Sequence, residues 1–277
     1  IKNLKLMKII FIGDIVGRSG RDALSKYIDI LKKDFMPDVI IANAENAASG
    51  YGLTEKIAKE LFSLGINALT LGNHSWDQKE MLSYIEKEKR IIRPLNYQLS
   101  CPGRGEVTLK LLNGKKILII QIMLRMFLNV PLDDPFQIID KRLENEKLGK
   151  TVDAIFIDMH GEASSEKNAF GHFVDGKVSA VIGSHTHVPS ADARIFRGST
   201  AYQNDVGMTG DYNSVIGFEK EGPIHNFTKG YRLEGRFKAA SEEASLLATY
   251  IETDDSTGLA KDIKMLHFGS KPSIYVK

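Results

Sequence analysis

The chain has 277 residues and a single cysteine, Cys101, and none of its apolar runs approaches the length needed to cross a bilayer. An internal disulfide is therefore excluded, as is a thiolate-rich metal centre, and the cysteine usage fits a reducing compartment. The run 7–12 is too short for the apolar region of a signal peptide and soon meets Asp14, so a soluble, cytoplasmic protein is expected. Charge of one sign is also lacking. A net charge of +2 shows no extended nucleic-acid surface, and the Lys/Glu-rich stretches 86–90 and 141–150 read as solvated helix faces. No Pro/Gly/Ser linker or charge block divides the sequence. One domain spanning 1–277 is expected, with 1–6 as an N-terminal extension.

What is present is an apolar content of 43%, much of it in short runs at 9–12, 39–43, 68–71, 117–122, 154–157 and 178–182. Runs of four to six residues, partly β-branched and bounded by glycine or polar residues, read as strands buried on both faces of a parallel sheet. Between them Ala23, Leu24, Tyr27, Ile28 and Leu31 recur at helical spacing, as do Ile57, Ala58, Leu61, Phe62 and Leu64. Farther on, 201–202, 214–218, 235–237 and 245–252 read as β segments. Two packed sheets with helices outside make an α/β fold, a four-layer α/β/β/α sandwich.

Metal-type ligands close these runs. Gly183-Ser184-His185-Thr186-His187 follows 178–182, and on a strand positions i and i+2 point the same way, so both imidazoles can converge on one volume. Gly13-Asp14 follows 9–12, Ala44-Glu45-Asn46 follows 39–43, Gly72-Asn73-His74 follows 68–71, and His160 comes after 154–157. In open α/β sheets functional groups gather at the carboxyl ends of strands. Taken singly, Asp14 reads as a helix N-cap, Glu45 and Asn46 as loop caps, and His160 as a core histidine. Five such strand ends in a chain with seven histidines argue for one metal site. The turn from Gly13 to Gly20 is no dinucleotide fingerprint, because the second glycine comes too late and Asp14 would repel a diphosphate.

The ordered series Gly-Asp, acidic-Asn, Gly-Asn-His, lone His and Gly-x-His-x-His resembles the calcineurin-like metallophosphoesterases. Longer stretches resemble one branch, the YmdB-like bacterial phosphodiesterases: Gly13-Asp14-Ile15-Val16-Gly17-Arg18, Ala44-Glu45-Asn46-Ala47-Ala48-Ser49-Gly50, Gly72-Asn73-His74-Ser75-Trp76-Asp77, His160-Gly161-Glu162 with Ser165-Glu166-Lys167, and Gly183 to Val188 followed by Asp205-Val206-Gly207-Met208-Thr209-Gly210. The resemblance spans roughly residues 7 to 235. The superfamily's Asp-x-His and bridging Asp are replaced here by Val16 and Glu45, changes this branch shares.

The resemblance implies the metallophosphoesterase sandwich and two divalent metal ions. Asp14 and His187 would bind the first, Glu45 would bridge, Asn73, His160 and His185 would complete the second, and Asn46 would lie close to the first. Carboxylate, amide oxygen and imidazole suit Fe, Mn or Zn rather than calcium. Four positive charges against two carboxylates leave a net positive cradle that could activate a bridging water for attack on a phosphate ester. His74, next to Asn73, is the expected general acid for the departing oxygen.

The family points to cyclic nucleotides such as 2′,3′-cAMP as substrates and to homo-oligomers. The residues alone support phosphate-ester hydrolysis, with phosphomonoesterase or nuclease activity as the nearest alternatives. A metal-binding cyclic-nucleotide sensor without turnover is the competing class. Asn46 and Asn73 are also expected to meet substrate. Arg18 and Arg21 either reach a substrate phosphate or form a solvated face, and Tyr51 either stacks on a base or is a plain surface tyrosine. The segment 123–128 reads foremost as core, otherwise as a cleft wall or oligomer contact, and His172, His225 and His267 read as structural.

Overall fold

The computed structural model describes residues 6–231 and 234–269; of the extension assigned to 1–6, all but Leu6 lies outside the described residues. In chain order the strands are β1 Met7–Ile12, β2 Asp14–Ile15, β3 Val39–Asn43, β4 Ala68–Thr70, β5 Ile91–Ile92, β6 Glu106–Lys110, β7 Lys116–Met123, β8 Ala154–His160, β9 Ala180–Ser184, β10 Arg194–Ile195, β11 Ala201–Gln203, β12 Met208–Asp211, β13 Ala244–Thr253 and β14 Ala260–Phe268. The helices are α1 Gly17–Phe35, α2 Glu55–Ser63, α3 Met81–Lys87, α4 Pro135–Glu144, α5 Ser164–Phe173 and α6 Glu221–Lys229.

One sheet runs β2-β12-β13-β1-β3-β4-β5 with β14 paired to β13, and the other runs β10-β11-β9-β8-β7-β6. Strands β1, β3, β4 and β5 are parallel, as are β7, β8, β9 and β11, so their carboxyl ends share an edge within each sheet. Side chains alternate across the pleat. Ile10 and Ile12 of β1 pack outward with Leu24, Ile28 and Leu31 of α1, while Ile9 and Phe11 face the other sheet beside Phe156 and Ile182. The Phe11 and Phe156 rings meet at 5.1 Å. Ile155, Ile157 and Met159 of β8 face out against Ile139 of α4 and Phe170 of α5. Three apolar layers thus separate four structural ones, each fully buried Ile or Phe contributing roughly 1.5–3 kcal/mol.

Local signals set the helix ends. Thr54 Oγ1 accepts from Ile57 N (3.2 Å) at the start of α2, and Asp134 accepts from Phe136 and Gln137 N (both 3.0 Å) ahead of α4, where Pro135 fills the first turn.

Two expectations fail. Segments 214–218 and 235–237 are not strands; Val215 and Phe218 form only isolated bridges, the latter to Ala239. Ile216 (φ 47°) and Gly217 (φ 93°) sit in the left-handed region, which breaks the alternation a strand requires. The 154–157 run extends through His160, and α4 ends at Glu144 within the stretch read as a helix face. Segment 123–128 divides: Met123 and Leu124 are buried, whereas Met126 and Phe127 are exposed. No helix among the described residues is long and apolar enough to cross a membrane.

Candidate metal centre

Both carboxyl edges meet at one rim. Asn43 ends β3, and its Oδ1 accepts from Glu45 N (3.0 Å), turning the following loop so that the Glu45 side chain is buried. Asn73 follows β4, His160 ends β8, and the register of β8 with β9 sets His160 beside Ser184.

His160 Nε2 lies 3.0 Å from Asn73 Oδ1, 3.1 Å from Glu45 Oε1 and 3.1 Å from His185 Nδ1. Its other nitrogen, Nδ1, is 2.9 Å from Ser184 Oγ, which donates to Asp158 Oδ1 (2.5 Å) and so accepts from the ring. In the neutral ring the Nε2 lone pair therefore points at two oxygens and a third nitrogen, a set of acceptors that calls for a cation. Burial opposes charge on His160, yet Glu45, then Asp14 and Asp158, raise its pKa to about 9. Glu45 is buried, but His160 nonetheless holds it below the usual carboxylate range. His185 goes the other way, lowered to about 3 by burial and then by His160.

A second group adjoins the first. His187 Nδ1 donates to Ile216 O (2.7 Å), so Nε2 carries the lone pair; it faces Asn46 Oδ1 at 3.3 Å and Asp14 Oδ1 at 4.0 Å. Asn46 Nδ2 is spent on Gly50 O (2.9 Å), which fixes Oδ1 as the inward atom. Asp14 is fully buried, its Oδ1 has no hydrogen-bond partner, and burial followed by Asp205 pushes its pKa well above the usual range. Its Oδ2 accepts from His185 N (3.3 Å), which joins the two groups.

Gly72 keeps the centre open: a Cβ there would lie 2.3 Å from Glu45 Oε2 and 2.4 Å from His160 Nε2. His74, one residue past Asn73, gives its backbone N–H to Glu45 Oε2 (3.0 Å), and its Nδ1 sits 3.1 Å from Asp77 Oδ2. All seven residues expected to hold metal thus meet at this rim, with His74 beside them.

The model of the YmdB-like protein family matches residues 10–266. The chain belongs to that family. This YmdB-like chain is 44% identical over 260 residues to the 2′,3′-cyclic-nucleotide 2′-phosphodiesterase of Bacillus subtilis (strain 168), covering 94% of this chain and 96% of that protein. It is also similar to the crystal structure of a novel phosphatase from Mycoplasma pneumoniae (33% identity, TM-score 0.88, 96% and 94% coverage). A hypothetical protein from Thermus thermophilus superposes with a TM-score of 0.87 at 38% identity, over 95% of this chain and 99% of that one.

Some residues of the YmdB-like site have no motif of their own to announce a role. His185 (φ 99°) and His187 (φ 65°) hold left-handed backbone, costing of order 1–3 kcal/mol each, which surrounding bonds must over-determine. Lys167, fully buried on α5, gives Nζ to Ser184 O (2.8 Å) and to Asp205 Oδ2 (2.8 Å), and the same oxygen takes Thr186 N (3.0 Å). This pair clamps the turn from both sides. Lys167 and Asp205 stand inside stretches shared with the family, but only the fold brings them together. Asp158 likewise meets Ser184 only in the fold, whereas Asp77, three residues past His74, is a local partner of that ring.

The rim residues expected to touch substrate are split. Tyr51 meets the His74 ring edge-on at 5.4 Å, and exposed Arg18 lines a cavity of about 490 Å³ with it. Arg21 is occupied by Glu60 (3.0 Å). His172 stacks on Phe196 (4.2 Å), and His225 meets Tyr231 (4.7 Å).

Proposed function

We propose that this chain is a metal-dependent phosphodiesterase that binds two divalent ions at the rim and hydrolyses 2′,3′-cyclic nucleotides. The observation that carries the reading is the inward-facing donor set: His160 Nε2 among Asn73 Oδ1, Glu45 Oε1 and His185 Nδ1, with His187 Nε2, Asn46 Oδ1 and the unpartnered Asp14 Oδ1 alongside. Nitrogen and oxygen donors without thiolate fit Fe, Mn or Zn. The name of the 44%-identical Bacillus subtilis protein supports the substrate class.

Asp14, Asn46 and His187 would hold one ion, Asn73, His160 and His185 the other, and Glu45 would serve both. Bound there, the ions would supply an activated water and neutralise phosphoryl oxygens. Glu45 also orients the acid, since its Oε2 fixes the His74 backbone. With Nδ1 directed at Asp77, His74 protonates the departing oxygen through Nε2, and the Asp77 carboxylate steadies the imidazolium. Asn46 and Asn73 meet the substrate phosphate, and Arg18 and Tyr51 its remainder.

The test is hydrolysis of 2′,3′-cyclic AMP, bis-p-nitrophenyl phosphate and p-nitrophenyl phosphate by metal-stripped protein refilled with single metals. Turnover of the diesters above the monoester is expected. A protein that binds cyclic AMP yet turns over none of the three with any metal is a sensor.

A further inference from the structure

Beside the metal centre lies an open cavity of about 540 Å³ walled by Tyr51, Phe227, Tyr231, Phe237, Arg236 and Asn226. Phe227 is 88% exposed and Tyr231 61% exposed, an unusual outlay of aromatic surface to water on a chain with 8% aromatic residues. Grouped flat π-faces in an open cavity suit a flat heteroaromatic ring, which any nucleobase provides.

Two links tie this cavity to the chemistry. Tyr51, one of its walls, is edge-on to His74 at 5.4 Å. Arg236, another wall, lies over the Tyr51 ring at 4.8 Å and bonds Asp77 Oδ2 (3.1 Å), the same oxygen that faces His74 Nδ1. One aromatic ring therefore separates the cavity from the group assigned to the departing oxygen. In a 2′,3′-cyclic nucleotide the sugar likewise separates phosphate from base. The polar groups of the wall are an amide, a guanidinium and two phenols, with no carboxylate among the lining residues to repel a phosphate-bearing ligand.

We propose that this cavity is the nucleobase seat of the enzyme, stacking the base on the exposed rings of Phe227 and Tyr231 against the wall that Phe237 and Arg236 complete. The proposal rests on the phosphodiesterase reading for its substrate and adds what selects it. Two measurements on the full chain test it. The first is the ratio of kcat/KM for 2′,3′-cyclic AMP to that for glycerol 1,2-cyclic phosphate, which keeps the five-membered phosphate ring but has no base. The second is binding of adenosine alone by calorimetry, which needs no turnover.

In Phe227→Ala/Tyr231→Ala, two exposed positions with little to lose in folding, the ratio is expected to fall about tenfold, through KM, and adenosine to bind at least about tenfold more weakly. Phe237→Leu should act in the same direction. An unchanged ratio and unchanged adenosine affinity would overturn the seat while leaving the phosphodiesterase reading intact. Adenosine binding lost in the variants of a protein that hydrolyses neither ester would overturn the phosphodiesterase reading and leave the seat standing. A change of sedimentation coefficient in the double variant without a change in nucleoside affinity would assign the patch to a second copy of the chain and overturn the proposal.

Discussion

His160 lies at the end of β8 inside a regular parallel pair with β9, whereas His187 lies three residues beyond the end of β9 at φ 65°. The His160 group closes to 3.0–3.1 Å around a ring whose own place is set by strand register, with Asn73 and Glu45 reaching it from loops of the other sheet; the His187 group stands at 3.3–4.0 Å around a ring carried on a strained turn. The central imidazole of one half takes its position from the sheet, and that of the other half from tertiary contacts. The difference teaches where each half should be fragile.

The largest expected effect lies outside that division. His74→Ala should lower turnover by about 10²–10⁴-fold while metal content, read by atomic emission, stays at the wild-type level. Loss of metal in this variant would make His74 part of the first group instead. Lys167→Met is aimed at the strained turn. Removing the buried ammonium leaves Asp205 unpaired, at a cost of about 3–5 kcal/mol in denaturant unfolding. Because the clamped turn carries His185 as well as His187, both ions should bind more weakly, which a titration with two resolved sites would read. An unaltered unfolding midpoint would show that the turn holds itself.

Ser184→Ala acts on the half placed by the sheet. It removes the acceptor that keeps His160 Nδ1 protonated, and metal affinity at the His160 side should fall about 10–100-fold with the fold retained. If both sites weaken equally, the two halves are one unit and the comparison collapses.

The smallest effect is a pH dependence. In metal-free protein His160 is raised from 6.5 to about 9, so the folded state holds a proton that the unfolded chain has released. That stability is complete below pH 6.5 and is lost as pH rises toward about 9. The melting temperature of the metal-free protein should therefore decline over that window, whereas metal-loaded protein, with His160 neutral, should not follow it. A parallel decline in both forms would remove His160 from the ligand set.

Much of this was legible in the chain. The strand runs at 9–12, 39–43, 68–71, 154–157 and 178–182 each became a strand, and the polar residues closing them came to one rim, because parallel crossovers leave the carboxyl ends free. The misread segments, 214–218 and 235–237, carried strand-like composition but had positive-φ residues or no partner to pair with. A β assignment needs a neighbour that composition does not name.

Residue type and order determined the donors, their oxygen and nitrogen character, and the sheet edge they share, since each is a local property of a strand and the residue that ends it. Which nitrogen of His160 and of His187 turns inward was decided by Ser184 and Ile216, and the strained turn that carries His185 and His187 by a lysine and an aspartate 38 positions apart. Those contacts exist only once two sheets have packed, because a hydrogen bond between distant residues follows from their meeting and leaves no periodic trace in the sequence.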